Sequence, residues 1–374
     1  MKFLFILPRK RDIVPKGYEI ICDNYKKELI RLRHTVKIIS PDNAKDDRNR
    51  FYFFDKLLDF FKYIFRGCFS IDVLRFSNSS FEIYIQKLKI KENFDAIVLF
   101  QLRSALFEIK RLTNKKRTSL TFLFSVDAIP GNALSDSNDY KYFLFGIFEK
   151  WSQRFFEKRI INNLNSIHLI SHNDVIKYKK VFPQNKIQKL GYSSNINYDE
   201  LKAEKEIYDI LFVGNLSYLP NIKMVKHFAE KIFPNHLNNY SIVIAGANPT
   251  RLIKNICSQY NFKLIANFPS TCKIIMQSKV VMCPSHDLSG IQTKILDAMK
   301  CSKPVVCYEQ SNLGIGAESW RHIVVSSDEL NFAENIEILL SNPILSKKVG
   351  QSGYKFGETH FNTSKSVKDF LKLC

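Results

Sequence analysis

Three polar residues share one predicted helix, residues 291–300, and are suited to binding a phosphorylated ligand. Thr293 and Asp297 are four residues apart and lie on the same face, with Lys294 beside them. The helix follows an apolar strand, so its N-terminal N–H groups and the positive end of its dipole face the carboxyl edge of a parallel sheet. Lys294 would neutralise a diphosphate, and Asp297 would accept hydrogen bonds from sugar or ribose hydroxyls. The alternative is a solvated helix start whose aspartate only complements the dipole.

A second candidate for chemistry is the carboxylate of Asp127. It follows the apolar stretch 120–125 and precedes Pro130 and Gly131. Ligands of open α/β sheets bind outside the carboxyl ends of the strands, so Asp127 would be a general base or an orienting group. A turn-forming aspartate before Pro-Gly is an equally good interpretation.

Both candidates are positioned by an alternation of apolar strands and helices along the whole chain. The predicted strands are 3–7, 35–40, 96–100, 120–125, 166–171, 210–213, 241–245, 262–265, 279–283 and 304–308, with helical spacing between most of them. Such alternation predicts parallel sheets covered by helices on both faces. We therefore predict an α/β fold of two doubly wound, Rossmann-like domains that face a cleft.

A polar and then charged stretch, residues 191–206, marks the predicted linker between the domains. The first domain would span residues 1–195 and the second residues 196–374. Amphipathic helices are predicted at 331–340 and 343–357. A final helix near 364–373 would belong to the second domain or pack back on the first.

The charge balance points to an anionic partner. The 374 residues include 56 Lys plus Arg and 36 Asp plus Glu, a formal net charge of +20. Nucleotide phosphates, a membrane surface, an acidic glycan or nucleic acid would each suit this surplus. The basic residues are not accompanied by a helix-turn-helix, zinc or aromatic RNA-binding signature, so we expect no nucleic-acid partner.

The cysteines and the N-terminus favour a cytoplasmic protein. Eight cysteines are scattered without a Cys-x-x-Cys pair, as expected for reduced, buried thiols. The apolar run Phe3 to Leu7 is short and is followed by the basic residues 9–11, which predicts a buried strand and not a signal peptide.

Two stretches of the first half have open interpretations. Residues 51–69 combine Phe and Tyr with Lys56, Lys62 and Arg66, which suits either a lipid headgroup interface or a helix packed on its own sheet. The loop 8–17 is basic and ends in Gly17, which either allows a ligand to approach or only forms a turn.

Four segments occur in an order that resembles a known family. They are the N-terminal strand with its Gly17 loop, residues 209–221, residues 242–246, and Gly290-Ile-Gln-Thr-Lys-Ile-Leu-Asp-Ala-Met299 followed by Lys303-Pro-Val-Val306. Together they resemble bacterial glycosyltransferases of the GT-B fold, of the large family-4-like group (glycosyl transferases group 1). The last segment is the most specific.

The resemblance implies a nucleotide-sugar donor in the second domain, an acceptor in the first and no essential metal or cofactor. The sequence agrees on the metal, because it has no Asp-x-Asp after an apolar strand. Lys294 and Asp297, with Asp127 as the base of an inverting reaction, would be catalytic, and Gly17 would lie in the acceptor-side loop. The implied donor-binding residues are Gly214, Asn215, Gly246, His286, Ser289, Gly290, Gln292 and Thr293.

The sequence departs from the family pattern in three respects. The first departure is Ser289, where many members have a glutamate. The second is the pair Asn215 and Asn221, where many have Arg and Lys, and the third is Ser302, where a glycine is common. Lys294 would then supply most of the charge that stabilises the departing diphosphate. We expect a cytoplasmic enzyme, peripheral on an anionic membrane, that builds cell-surface polysaccharide on a glycan or lipid-linked acceptor. The alternative is a catalytically silent glycosyltransferase-like binding or scaffold subunit.

Overall fold

Each half of the chain forms its own six-stranded, all-parallel sheet. A computed structural model describes residues 1–9, 17–44, 52–112, 119–125, 140–192, 196, 204–234, 237–286 and 291–374. Contacts divide the chain into one unit of Met1–Leu190 with Thr363–Cys374 and a second of Gly191–Asn362. The change of unit falls between Leu190 and Gly191, where the predicted linker 191–206 begins.

The first sheet has the strand order β2-β1-β3-β4-β5-β6. Its strands are β1 Lys2–Ile6, β2 Thr35–Ile39, β3 Ala96–Phe100, β4 Leu120–Ser125, β5 Ser166–Leu169 and β6 Ile187–Lys189. Every residue of β3 is buried, as expected for a central strand covered on both faces. The order reverses between β1 and β3, so the loops after these two strands flank the crevice in which ligands of such sheets bind.

Helices cover both faces of this sheet. They are α1 Gly17–Arg31, α2 Tyr52–Phe65, α3 Ile71–Leu74, α4 Ser79–Lys91, α5 Ile109–Leu112, α6 Tyr140–Ile161 and α7 His172–Val181. The last helix of the chain, Thr363–Leu371, also belongs to this unit. Its Phe370 ring lies 4.9 Å from that of Phe122 and 5.2 Å from that of Phe124, centroid to centroid, which anchors the chain end on the sheet.

The second sheet has the order β12-β11-β10-β7-β8-β9. Its strands are β7 Tyr208–Val213, β8 Ile242–Gly246, β9 Lys263–Ala266, β10 Ser278–Cys283, β11 Val305–Tyr308 and β12 Val324–Ser326. β7 and β10 are neighbours, with Val280 opposite Ile210. The order reverses between them, so the loops after β7 and β10 flank the crevice of this sheet.

The helices of the second unit follow the same plan. They are α8 Leu219–His227, α9 Arg251–Gln259, α10 Thr271–Met276, α11 Thr293–Lys300, α12 Glu309–Asn312, α13 Glu329–Ser341 and α14 Pro343–His360. The final helix of the chain, Thr363–Leu371 of the first unit, is numbered α15. A short π-helical turn, Phe228–Ile232, extends α8. Among the described helices, none is both long and apolar enough to cross a bilayer. All eight cysteines carry free thiols, and seven of them are buried.

Candidate functional site

The turn after β7 packs directly against the end of β8. The N–H of Gly214 donates to the carbonyl of Ala245 at 3.0 Å, and that of Leu216 donates to Ala247 at 2.8 Å. A Cβ atom on Gly246 would lie 1.7 Å from the carbonyl oxygen of Gly214. Gly246, a predicted donor contact, is therefore required by the close approach of two backbone segments. A larger residue at position 246 would therefore affect a bound ligand by displacing the Gly214 turn.

A buried hydrogen-bond chain ties this turn to α11. The ammonium group of Lys294 donates to Oδ1 of Asn221 at 2.8 Å, and Nδ2 of Asn221 donates to the carbonyl of Asn215 at 2.9 Å. Lys294 and Asn221 are each only 7% exposed. The ammonium also lies 4.8 Å from the centroid of the Phe212 ring, a favourable cation–π distance. Lys294 thus places a positive charge beneath the loop after β7 and fixes the shape of that loop.

The N-terminus of α11 lies at the crevice between β7 and β10. Gln292 is its N-cap residue, with extended backbone, and its side chain makes no capping hydrogen bond. Thr293 opens the first turn and is half-buried. N–H groups of a helix start that the N-cap side chain leaves open are suited to binding an anion. Asp297 lies one turn deeper, where its charge adds to burial in raising the pKa of the Tyr192 hydroxyl.

The far end of α11 closes with a Schellman motif. The N–H of Lys303 donates to the carbonyl of Ala298 at 3.0 Å, and that of Ser302 donates to Met299 at 2.9 Å. Ser302 occupies the left-handed position of this motif, with φ of 55°. The glycine of the family pattern is therefore explained by backbone conformation, and the serine here is strained.

His286 belongs to a second cluster at the same edge of the sheet. Its ring stacks on that of Tyr308 at 4.3 Å and meets that of His227 at 5.1 Å. Nε2 of His227 lies 3.0 Å from the Tyr308 hydroxyl and 3.7 Å from Oε1 of Glu329. Burial, aided by the neighbouring His286, lowers the pKa of His227 and favours its neutral form.

The residues of this second cluster also form a candidate metal site. Ligand atoms of His227, His286 and Glu329 lie within 4.8 Å of one another. Ligands of a tetrahedral zinc ion would be about 3.3 Å apart, given bonds of about 2 Å. The three side chains would therefore have to move closer together. His227, Glu329 and Tyr308 were not predicted from the sequence, because they come from three elements that meet His286 only in the folded sheet.

The predicted site residues fall into three groups. One group lies at the crevice of the second sheet and consists of Gly214, Asn215, Gly246, Lys294 and the start of α11. His286 follows β10 at the same sheet edge. Gly17 begins α1 in the first unit, after the loop that follows β1. Asp127, Ser289 and Gly290 lie outside the described residues.

The structure adds a residue that was not predicted at the crevice of the first sheet. Gln101 follows β3 and has φ of 63°, which is unusual for a residue other than glycine. Its N–H donates to the carbonyl of Phe124 at 2.8 Å, and its Oε1 accepts from Arg103 at 3.2 Å. Strained residues of this kind cluster at functional sites. Because backbone angles are not visible in a sequence, no local signal could have identified it.

Comparison with known proteins confirms the resemblance for the second unit. The family model described as Glycosyl transferases group 1 matches residues 207–342. A protein described as an uncharacterized 44.6 kDa protein in the cps region of Klebsiella pneumoniae is 21% identical in an alignment over 302 residues, with coverage of 77% of this chain and 76% of that protein.

Solved structures match over the whole chain. The crystal structure of TarM has a TM-score of 0.72 and 12% identity, with coverage of 100% of this chain and 98% of that chain. Sucrose-phosphate synthase from Thermosynechococcus elongatus has a TM-score of 0.71 and 12% identity, with coverage of 100% of this chain and 98% of that chain. HepE of Anabaena, in complex with UDP and glucose, has a TM-score of 0.66 and 11% identity, with coverage of 100% of this chain and 98% of that chain. The predicted fold class, two doubly wound α/β units of the GT-B type, is confirmed.

Proposed function

We propose that this protein, which matches the glycosyl transferases group 1 family over residues 207–342, transfers a sugar from a nucleotide-sugar to a glycan or lipid-linked acceptor in cell-surface polysaccharide synthesis. The observation that carries the proposal is the position of α11. Its N-terminus, without a side-chain cap from Gln292, lies at the crevice of the second sheet, beside the Gly214 turn and above the buried charge of Lys294.

The donor would bind with its diphosphate at this helix start. The first N–H groups of α11 and the helix dipole supply positive potential where the nucleoside diphosphate departs. Gln292, Thr293 and Gly290 would contact the phosphates, and Asp297 would bind hydroxyls. UDP is the first nucleotide to test, because HepE and a mutant of S. aureus TarM were solved with UDP.

Lys294 would assist the departing diphosphate in two ways. Its charge lies in a buried setting, where solvent screens it little, so it stabilises negative charge developing at the crevice. Through Asn221 it also holds the carbonyl of Asn215, so the loop after β7 is ordered before the donor arrives. Lys294 is thus a positioning residue as well as a source of positive potential.

Acceptor chemistry belongs to the first unit in this proposal. Asp127 would remove the proton of the acceptor hydroxyl in an inverting reaction, whereas in a retaining one the leaving phosphate would accept it.

The relative from a Klebsiella cps region supports a cell-surface glycan. A mutant of S. aureus TarM was solved with alpha-GlcNAc-glycerol, which supports a glycan acceptor in this proposal. Eight free thiols support a cytoplasmic location, at the inner face of the membrane.

A turnover assay tests the proposal. The purified protein is incubated with UDP-, GDP-, CMP- and dTDP-sugars and with extracts of lipid-linked oligosaccharides, and products are read by mass spectrometry. We expect one donor to lose its sugar to one acceptor with release of the nucleotide, and Asp297→Ala to abolish the transfer while the melting temperature is retained. Tight nucleotide or glycan binding without any transfer would favour the silent scaffold, an alternative supported by Ser289 in place of the usual glutamate.

We further propose that transfer needs no cofactor and no divalent cation. The charge on the diphosphate would be met by the start of α11 and by Lys294. The cluster of His227, His286 and Glu329 is the place where a metal dependence, if found, should be sought.

A further inference from the structure

The outer face of α6 carries aromatic and basic side chains. Among its described side chains, the exposed ones are Ile147, Phe148, Trp151, Arg154, Phe155, Lys158 and Arg159. Their spacing places them on one side of the helix. Trp151 is 58% exposed and Phe148 is 49% exposed, so large rings face solvent where a surface helix normally presents polar groups.

Four of the exposed rings form a continuous strip. The ring centroids of Phe148 and Trp151 are 6.4 Å apart, those of Trp151 and Phe155 are 5.9 Å apart, and those of Phe155 and Phe69 are 5.7 Å apart. Phe69, which follows α2, is 36% exposed. We call Phe69, Phe148, Trp151 and Phe155 the aromatic strip. A contiguous apolar patch of this kind marks an interaction site more often than scattered exposed residues do.

The carboxylates of the same helix point inward and fix its rotation. Glu149 accepts hydrogen bonds from the N–H groups of Ile71 at 2.8 Å and Asp72 at 3.0 Å. Glu157 accepts from the Tyr178 hydroxyl at 2.8 Å. Both carboxylates are buried, at 5% and 3% exposure. Turning α6 to bury its rings would expose these bonded groups, so the outward position of the aromatic strip is built into the fold.

We propose that the aromatic strip, with Arg154, Lys158 and Arg159, is the surface on which this protein lies on an anionic lipid bilayer. Trp and Phe rings suit the headgroup region, and neighbouring Lys and Arg suit anionic lipid. The described outer face of α6 contains no carboxylate, and the chain has a net charge of +20. A second copy would bring the same positive charges together, so lipid is the better partner.

The inference deepens the proposed function, because a lipid-linked acceptor would be met at such a surface. It places the principal membrane contact on α6, with Phe69 as the one contributor from the stretch 51–69. Binding to vesicles is measured without donor or acceptor. Failure of membrane binding is therefore distinguishable from failure of sugar transfer.

The first test is cosedimentation of the full chain with phosphatidylglycerol and with phosphatidylcholine vesicles. We expect binding to the anionic vesicles, reduced about fivefold for each charge removed in Arg154→Gln and Lys158→Gln. The double variant Trp151→Ser with Phe155→Ser should lower binding by about tenfold or more. Ile90→Ser is the matched control, because Ile90 on α4 of the same unit is 87% exposed and lies outside the aromatic strip.

The second test places Trp151 in the bilayer. The chain has two tryptophans, so Trp320→Phe leaves Trp151 as the only one. On adding anionic vesicles we expect a blue shift of its emission and quenching by lipids with brominated acyl chains. Vesicle binding that the aromatic substitutions leave unchanged, or emission that does not shift, would overturn the proposal. So would self-association through Trp151 without lipid.

Discussion

Lys294 and Asn221 are joined by a hydrogen bond of 2.8 Å between two side chains that are almost completely buried. The lysine comes from the start of α11 and the asparagine from the first turn of α8, so the bond joins the two helices that follow the loops flanking the crevice of the second sheet. Asn221, which departs from the family pattern, is therefore the hydrogen-bond partner of the buried ammonium group of Lys294.

The first prediction concerns the energetic coupling of this pair. Asn221→Ala should lower the free energy of unfolding by about 2 kcal/mol, because hydrogen bonds to a charged donor contribute more than neutral ones. Lys294→Met keeps the length of the side chain without its charge. In urea unfolding we expect the double variant to lose less stability than the two single losses added together, by about 1 kcal/mol. Additive losses would show that the contact contributes nothing.

The second prediction concerns Ser302. A residue with a Cβ in the left-handed region is strained, so Ser302→Gly should raise the free energy of unfolding by about 1 kcal/mol. Ser302→Ala is the control, since alanine keeps the Cβ and should give no comparable gain. Urea midpoints of the three proteins make the comparison, and equal midpoints for the glycine and alanine variants would contradict it.

The third prediction compares two glycines of α14. A Cβ on Gly350 would lie 2.1 Å from the carbonyl oxygen of Ser302, whereas one on Gly357 would lie 3.7 Å from Cβ of Met299. Gly350→Ala should therefore cost about 1–3 kcal/mol through overpacking. Gly357→Ala should gain about 0.5–1 kcal/mol from helix propensity. Thermal unfolding of both variants checks the seating of α14 against α11, and a similar effect at both sites would disprove it.

The fourth prediction is a pH dependence that originates in α6. Burial raises the pKa of Glu157 from 4.5 to about 7, an effect that the hydrogen bond from Tyr178 and the charge of Arg154 only partly oppose. The folded state therefore binds the proton more tightly than the unfolded state, and this stabilisation is lost as the pH rises through about 7.

Glu157→Gln keeps the shape of that side chain and removes its titration. The variant should gain stability relative to the wild type between about pH 5 and about pH 8, as measured by urea unfolding at each pH. Glu92→Gln is a control, because the pKa of Glu92 is lowered to about 2 by hydrogen bonds from Lys2 and Lys37 and its titration lies outside this range. A difference between Glu157→Gln and wild type that does not change with pH would indicate that Glu157 does not titrate there.

The fifth prediction concerns metal. Turnover of protein treated with EDTA should equal that of untreated protein, since Lys294 and the start of α11 would meet the charge of the diphosphate. Loss of activity that Mn²⁺ or Zn²⁺ restores would contradict metal independence. His286→Ala and Glu329→Gln would then show whether the cluster at that sheet edge holds the ion, with His322→Ala as the control elsewhere in the unit.

Much of the fold could be predicted because parallel strands buried on both faces appear as short apolar runs. β3 and β4 have the predicted bounds, 96–100 and 120–125. β6 and β12 were missed because three residues carry too little pattern. Helix α4 was missed as well, since its apolar and charged residues are mixed around the helix.

The candidate site was predictable in outline and not in its contacts. The switch from β10 to α11 identified Lys294, because a glycine and a helix start follow a buried strand. The ammonium group of Lys294 bonds Asn221, which lies 73 residues earlier in the chain. This contact depends on which strands become neighbours in the sheet, so the sequence alone did not predict it. The aromatic strip was also invisible, since α6 has charged and aromatic residues on both faces and only packing shows which face is outside.

Nucleotide binding to the second unit tests the central claim most directly. Thermal unfolding is followed with UDP, GDP, CMP, dTDP and ADP for the wild type, Lys294→Met and Lys300→Met. Lys300 is the matched control, because it lies in the last turn of α11 and pairs with Glu358 at 2.5 Å. We predict that one nucleotide raises the melting temperature of the wild type and Lys300→Met, and that Lys294→Met largely loses this shift. No shift with any nucleotide at millimolar concentration, or an equal shift in all three proteins, would contradict a donor site at the start of α11.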